Sequence, residues 1–97
     1  MNNEQNKMPY AVFAYCHHNR RVGSLITLCC KTDFALRTDV LQTLGNQLAM
    51  HISAFGGFNP DASWLMDNSK KVKDVINEVA VQLGEPVVLE HVHVQGC

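Results

Sequence analysis

The sequence lacks several features that would assign it to common classes of protein. In its 97 residues no apolar run approaches the roughly 20 residues of a membrane-spanning helix. The first ten residues, MNNEQNKMPY, have neither the apolar core of a signal peptide nor the arginine-rich pattern of a transit peptide. We therefore expect a complete cytoplasmic chain without a membrane partner.

Clustered charge of one sign is also lacking. The formal net charge is −1, and the basic residues form no cluster beyond Arg20–Arg21 and the lysines between residues 70 and 73. Proteins that bind nucleic acid or anionic lipid usually carry a basic patch. We expect no nucleic-acid partner and, instead, a protein partner.

The four cysteines do not form the spaced framework of a disulfide-stabilised secreted protein. Cys29 and Cys30 are neighbours, Cys16 is isolated and Cys97 is terminal. Reduced thiols that pack as small apolar side chains are the better interpretation. The length allows one domain with a single modest core.

What the sequence does contain is a series of alternating and helical patterns. Residues 10–17 and 21–31 alternate with a period of two around the turn HHNRR, where Asn19 is expected to adopt the unusual backbone angles, so they predict an antiparallel hairpin. The segment PVVLEHVHVQ predicts a third strand. On a regular strand, one face would carry Val88, Glu90, Val92 and Val94, and the other Val87, Leu89, His91 and His93.

Two amphipathic patterns predict two helices. The first would begin at an N-cap of Thr38 or Asp39 and end at Gly56–Gly57, with an apolar face of Leu41, Leu44, Leu48, Ile52 and Phe55. The second would be capped by Ser69 and closed by Gly84, with an apolar face of Val72, Val75, Ile76, Val79, Ala80 and Leu83.

Between the helices, Pro60 argues against a regular element, and Trp64, Leu65 and Met66 are expected to fold back onto the core. The order strand, strand, helix, helix, strand predicts an α+β fold, a three-stranded antiparallel sheet with two main helices packed on one face. Residues 1–8 are expected to be a disordered polar tail, followed by one domain over residues 9–97.

At this point two stretches become recognisable. YCHHNRRVGSLITLCCKTDFALRTDVLQTLGNQLAMHI, residues 15–52, resembles the core or dimerisation domain of bacterial elongation factor Ts, which carries a hairpin, a Thr-Asp-Phe-Val motif and a helix ending near Ala-Met-His-Ile. KKVKDVINEVAVQLGEPVVLEHVHV, residues 70–94, resembles the C-terminal helix and strand of the same family.

The sequence departs from the family pattern in several places. We expect the chain to lack the family's ubiquitin-associated-like N-terminal domain. The segment between the two halves is reduced to residues 55–68, and Ala35 replaces the usual valine. The strand LEHVHV is poorer in arginine and aromatic residues than in relatives. The resemblance is therefore to a minimal form, similar to the short factors that act as homodimers.

The resemblance implies guanine-nucleotide exchange on elongation factor Tu, by insertion of the Thr-Asp-Phe motif near the Mg²⁺ and nucleotide site, with no cofactor and no enzymatic chemistry. Carried over, the partner-binding residues are Thr32, Asp33, Phe34, Met50 and His51. The exposed face of the sheet would form the homodimer interface, with Val88, Leu89, Val92 and Val94.

Each of these roles has a structural alternative. Phe34 would otherwise pack under the first helix as a core residue, and an acid such as Asp33 is favourable near a helix N-terminus without any partner. His51 would otherwise be a half-buried surface histidine. At the level of the whole protein, the main alternative is a module that binds elongation factor Tu without promoting exchange.

A different class, a metal-binding or redox protein, is suggested less strongly by the histidines and cysteines. Cys16, His17 and His18 lie on the predicted hairpin with the Cys29–Cys30 pair, and His91 and His93 form an HxH on the third strand. The spacings match no zinc-finger or ribbon pattern, and neighbouring residues of a strand point to opposite faces. We therefore expect no metal site.

Overall fold

The structure, a computed structural model, describes residues 8–96. Residues 1–7 of the predicted tail, and Cys97, lie outside the described residues. Eight elements follow one another along the chain: β1 (Tyr10–Cys16), β2 (Gly23–Cys30), α1 (Asp33–Leu36), α2 (Asp39–Phe55), β3 (Ser63–Trp64), β4 (Asp67–Lys71), α3 (Val72–Leu83) and β5 (Val87–Gln95).

The main sheet has the strand order β1-β2-β5, with both pairs antiparallel. The predicted hairpin and third strand are thus confirmed, and β2 is the central strand. In the hairpin turn the positive φ, 62°, falls on Arg20 and not on Asn19 as expected. The reason is that Asn19 stabilises the turn with its side chain, whose Oδ1 accepts a hydrogen bond from the Arg21 N–H at 3.0 Å.

The predicted faces of β5 are wrong, because this strand contains a β-bulge. Thr27 of β2 pairs with His91, but the next residue, Leu28, pairs with Leu89, so Glu90 is an extra residue in the ladder. The bulge shifts the alternation by one position. The helix-facing side of β5 therefore carries Val87, Leu89, Val92 and Val94, opposite Cys30, Leu28, Ile26 and Ser24 of β2.

The helices cover one face of this sheet, which confirms the predicted α+β architecture. Ile26 and Leu28 of β2 are fully buried and belong to one core cluster with Leu41, Leu48 and Ile52 of α2. Burial of each such aliphatic side chain contributes about 1.5 to 3 kcal/mol of transfer free energy. The opposite side of the sheet, which we call the open face, is covered by no helix of residues 8–96 and carries Tyr10, Val12, Leu25 and Val88, each 40 to 60% exposed.

The ends of α2 follow the predicted capping pattern. Thr38 is the N-cap, and its hydroxyl accepts a hydrogen bond from the Leu41 N–H at 3.3 Å. Gly56 ends α2 and Gly84 ends α3, each with a φ of 75°. Glycine adopts this left-handed conformation at little cost, which explains why both helices stop where they do.

The segment between α2 and α3 differs from the prediction. It contains the short hairpin β3–β4 where irregular backbone was expected, and Trp64 is buried while Leu65 and Met66 are exposed in its turn. Ser69 lies in β4 and does not cap α3, because its hydroxyl is used locally, donating to Asp67 at 2.6 Å.

The N-cap of α3 is Lys71 instead, and its N–H donates to the carboxylate of Asp74 at 3.4 Å. Asp74 therefore stabilises the start of α3, the function predicted for Ser69.

Candidate partner-binding site

The Thr-Asp-Phe motif forms a single helical turn, α1, between the end of β2 and the start of α2. The Thr32 side chain accepts a hydrogen bond from the Ala35 N–H at 3.2 Å and thereby caps the turn. At the other end, the Arg37 N–H donates to the Phe34 carbonyl at 3.1 Å, and the Thr38 hydroxyl donates to the Ala35 carbonyl at 2.7 Å. Both ends of the turn are fixed by hydrogen bonds.

Phe34 is the most exposed of the large apolar side chains among residues 8–96, at 80%. Ala35 and Leu36, which follow it, are buried, so the inward side of the turn is occupied by these two residues and Phe34 faces solvent. The alternative that Phe34 packs as core is therefore wrong. Leaving a phenylalanine in water forgoes about 1.5 to 3 kcal/mol of burial free energy, so its position favours a binding role.

Asp33 and Thr32 lie beside Phe34 and are exposed. Asp33 is in the first turn of α1, where a carboxylate is favourable on electrostatic grounds alone. The N–H and the hydroxyl of Thr32 both donate to the carboxylate of Glu85, each at 2.9 Å. Glu85 was not predicted as a site residue, because nothing in its sequence surroundings, between Gly84 and Pro86, relates it to the motif.

His51 lies in the interior, with 0% exposure, and presents no surface to a partner in this structure. Its ring is stacked between Phe55, at a centroid distance of 4.2 Å, and Trp64, at 5.1 Å. Nδ1 accepts a hydrogen bond from the Leu65 N–H at 3.0 Å, whereas Nε2 is buried and has no hydrogen-bond partner among the described residues. Burial lowers the pKa of His51, because the imidazolium loses solvation. The half-buried surface position considered above is wrong as well.

Met50 is partly buried and lines an open groove of about 410 Å³. The other lining residues are Tyr15, His17, Val22, Ser53, Ala54 and Leu65. At about 1.5 Å per residue, Met50 is about 16 Å along the axis of α2 from its first residue. The structure therefore does not bring Met50 and His51 together with the Thr32–Phe34 turn.

The four residues predicted for a dimer interface do not share one face. Val88 is on the open face, opposite Cys29, whereas Leu89 and Val94 pack against the core. Val92 is opposite Ile26 on the helix-facing side, although it remains 40% exposed. Leu89 would face away from Val88 on any regular strand, and the bulge at Glu90 moves Val92 and Val94 to the side of Leu89. Of the four residues, Val88 alone lies on the open face.

The cysteines and histidines of the described part of the chain do not converge on a common site. Among residues 8–96 no group of three or more histidine, cysteine, aspartate or glutamate side chains is placed to hold a metal ion. The Cys29 thiol donates to the Glu90 carboxylate at 2.8 Å. The pKa of Cys30 is raised by burial and, secondarily, by the negative charge of Glu85, which disfavours a reactive thiolate.

The longest helix of the described part of the chain is α2. Neither it nor any other helix there is long and apolar enough to cross a membrane.

Comparison with known proteins shows similarity to elongation factor Ts of several bacteria. No protein-family model matches the chain. The sequence is 33% identical over 91 residues to elongation factor Ts of Fervidobacterium nodosum, covering 88% of this chain and 44% of that protein. It is also 33% identical over 87 residues to elongation factor Ts of Thermosipho melanesiensis, covering 84% of this chain and 40% of that protein.

A third relative, elongation factor Ts of Thermotoga neapolitana, is 25% identical, with 78% of this chain and 62% of that protein covered. The chain spans less than half the length of the first two relatives. The similarity is thus to a part of elongation factor Ts, and it agrees with the resemblance that the motifs indicate.

Proposed function

We propose that the chain is a guanine-nucleotide exchange factor for elongation factor Tu and that the Thr32–Phe34 turn is the part inserted near the nucleotide. One observation carries the proposal, the 80% exposure of Phe34 on a turn that is hydrogen-bonded at both ends. Exposed aromatic side chains held in one orientation are typical anchors for a partner's pocket. The similarity to elongation factor Ts supports the choice of partner.

Exchange of this kind requires coupled binding equilibria and no acid, base or nucleophile. A bound guanine nucleotide is held by phosphate contacts and by a Mg²⁺ ion whose octahedral shell tolerates little displacement. An aromatic side chain and a carboxylate that displace the elements around this ion weaken nucleotide binding. By thermodynamic reciprocity, the nucleotide weakens the exchange factor's binding to the same extent. The reaction would take place in the cytoplasm, where translation elongation occurs.

We further propose that two copies act together as a homodimer joined through the open face. Tyr10, Val12, Leu25 and Val88 form an exposed apolar surface on the side of the sheet without helices. An antiparallel sheet with one covered face normally carries polar residues on the other, so this apolar surface favours a further contact.

The test is the release of a fluorescent GDP analogue from bacterial elongation factor Tu, with and without this protein, combined with binding measurements. We expect faster release, and tighter binding to the nucleotide-free form than to the GDP-bound form. Equal binding to the two forms without acceleration would contradict exchange and support the alternative, a binding module, because no differential affinity means no coupling. Absence of binding would contradict both.

A further inference from the structure

Glu85 is distant in sequence from the Thr32–Phe34 turn but contacts it directly. Its Oε1 accepts a hydrogen bond from the Thr32 N–H at 2.9 Å, and its Oε2 accepts one from the Thr32 hydroxyl, also at 2.9 Å. We propose that Glu85 is a positioning residue that holds the turn in the orientation in which Phe34 meets the partner. This inference rests on the proposed exchange function.

The Thr32 hydroxyl links Glu85 to the turn itself. A hydroxyl has one proton to donate and lone pairs to accept with. Because its proton is directed to the Glu85 carboxylate, a lone pair is left for the Ala35 N–H, which donates to the same oxygen at 3.2 Å. The carboxylate therefore orients the cap of α1 in addition to binding it, and its charge strengthens both of its hydrogen bonds.

Glu85 is itself held by its backbone. Its N–H donates to the Ala80 carbonyl at 3.2 Å, in the last turn of α3, directly after the left-handed Gly84. Pro86 follows, and a proline restricts the backbone of the residue before it to extended conformations. The carboxylate is thus presented from the junction of α3 and β5, and it ties the turn that carries Phe34 to the other half of the chain.

The functional consequence is a lower entropic cost of binding. A turn that is already ordered loses less conformational freedom when Phe34 enters a pocket than one that must first be fixed. Loss of the carboxylate should therefore raise the concentration that gives half-maximal exchange by about three- to tenfold, as expected from the entropic cost of immobilising one side chain or short segment on binding. The folded state should change little, because Thr32 is exposed and Glu85 is only partly buried.

The test uses the full chain with the variants Glu85→Ala and Glu85→Gln. Glu78→Ala is the matched control, since Glu78 lies on α3 and makes an exposed ion pair with Lys70 at 3.1 Å. Three quantities are measured: amide hydrogen exchange at Thr32, the concentration dependence of GDP-analogue release from elongation factor Tu, and the melting temperature. Glu85→Gln keeps one oxygen acceptor for the Thr32 N–H and should partly restore both protection and exchange.

We expect Glu85→Ala to lose protection at the Thr32 amide and to require more protein for half-maximal release, while its melting temperature matches that of Glu78→Ala. Unchanged protection at Thr32, or unchanged concentration dependence of release, would overturn the positioning role. If the wild-type protein fails to accelerate release, the proposed function itself is wrong. This outcome is distinguished from failure of the positioning role because it is seen with the wild-type protein alone.

Discussion

The ring of Phe13 in β1 lies directly against the backbone of Gly45 in α2. A Cβ atom added to Gly45 would be 2.5 Å from three carbons of that ring, closer than side-chain atoms approach in proteins. The absence of a side chain at Gly45 therefore lets α2 pack closely onto the sheet, with Phe13 buried between them. This contact determines how near the first long helix can approach β1.

We predict that Gly45→Ala destabilises the protein by up to about 2 kcal/mol. Overpacking a core costs about 1 to 3 kcal/mol, and this is offset in part by the roughly 1 kcal/mol by which alanine is favoured over glycine inside a helix. Chemical denaturation would measure the change. Asn46→Ala, at the exposed neighbouring position, is the control and should be neutral or slightly stabilising. Gly45→Ala stability equal to or above wild type would contradict the packing described here.

We predict that Phe34→Ala abolishes nucleotide exchange and leaves thermal stability nearly unchanged. At 80% exposure the ring contributes little to the folded state, so its removal opens no cavity. The measurements are GDP-analogue release and the melting temperature. Val81→Ala, which truncates a 73% exposed residue on α3, is the matched control and should retain exchange. A large fall in melting temperature for Phe34→Ala would show that the ring is part of the core in solution.

We predict that Leu25→Glu converts a homodimer into a monomer if the open face is the interface. Leu25 is on the central strand and is 48% exposed, so a charge there would be desolvated by a partner subunit. Light scattering coupled to gel filtration would report the mass. Val81→Glu places the same charge on α3 and should leave the mass unchanged. A wild-type protein that is already monomeric at micromolar concentration would refute this interface.

We predict that stability decreases as the pH falls below about 6.5, the ordinary pKa of histidine, and that His51 contributes to this dependence. Burial lowers the pKa of His51 in the folded state, so the unfolded chain takes up a proton that the folded chain does not. The free energy of unfolding therefore rises with pH in this range, with a limiting slope of about 1.4 kcal/mol per pH unit. The contribution of His51 to stability is fully present above about pH 6.5.

The control for this prediction is His51→Gln, which is neutral at every pH and retains an oxygen acceptor for the Leu65 N–H. Its overall stability should be lower, because the stacking on Phe55 and Trp64 is lost. Its slope of stability against pH between pH 7 and 5 should nevertheless be smaller than that of wild type. Equal slopes for the two proteins would show that His51 does not account for the acid sensitivity.

Local patterns in the sequence were sufficient to predict most of the fold. Leu41 and Ile52 repeat at helical spacing, and Thr38 and Gly56 have the side chains that helix ends require, so α2 follows from interactions within a few residues. The exposure of Phe34 could not be derived from such patterns, because an aromatic residue in a junction is more often buried. The family resemblance predicted its exposure.

Features that depend on residues distant in the chain were not predictable. Glu85 and Thr32 are 53 positions apart, and no spacing rule connects them. The bulge in β5 depends on pairing with β2, so an alternation read along one strand could not reveal it. The prediction that Ser69 caps α3 failed because its hydroxyl bonds to Asp67, and a periodic pattern does not reveal such a competing hydrogen bond.

The extra residue in β5 decides the chemical character of one end of the open face. With Glu90 in the ladder, His91 and His93 are opposite Thr27 and Leu25, on the side without helices. In a strand that alternated without interruption from Val88, valines would occupy those positions and the imidazoles would turn toward the helices. One inserted residue thus places two imidazole side chains at the edge of a mainly apolar surface. A second molecule that covered this edge would have to accommodate polar rings there.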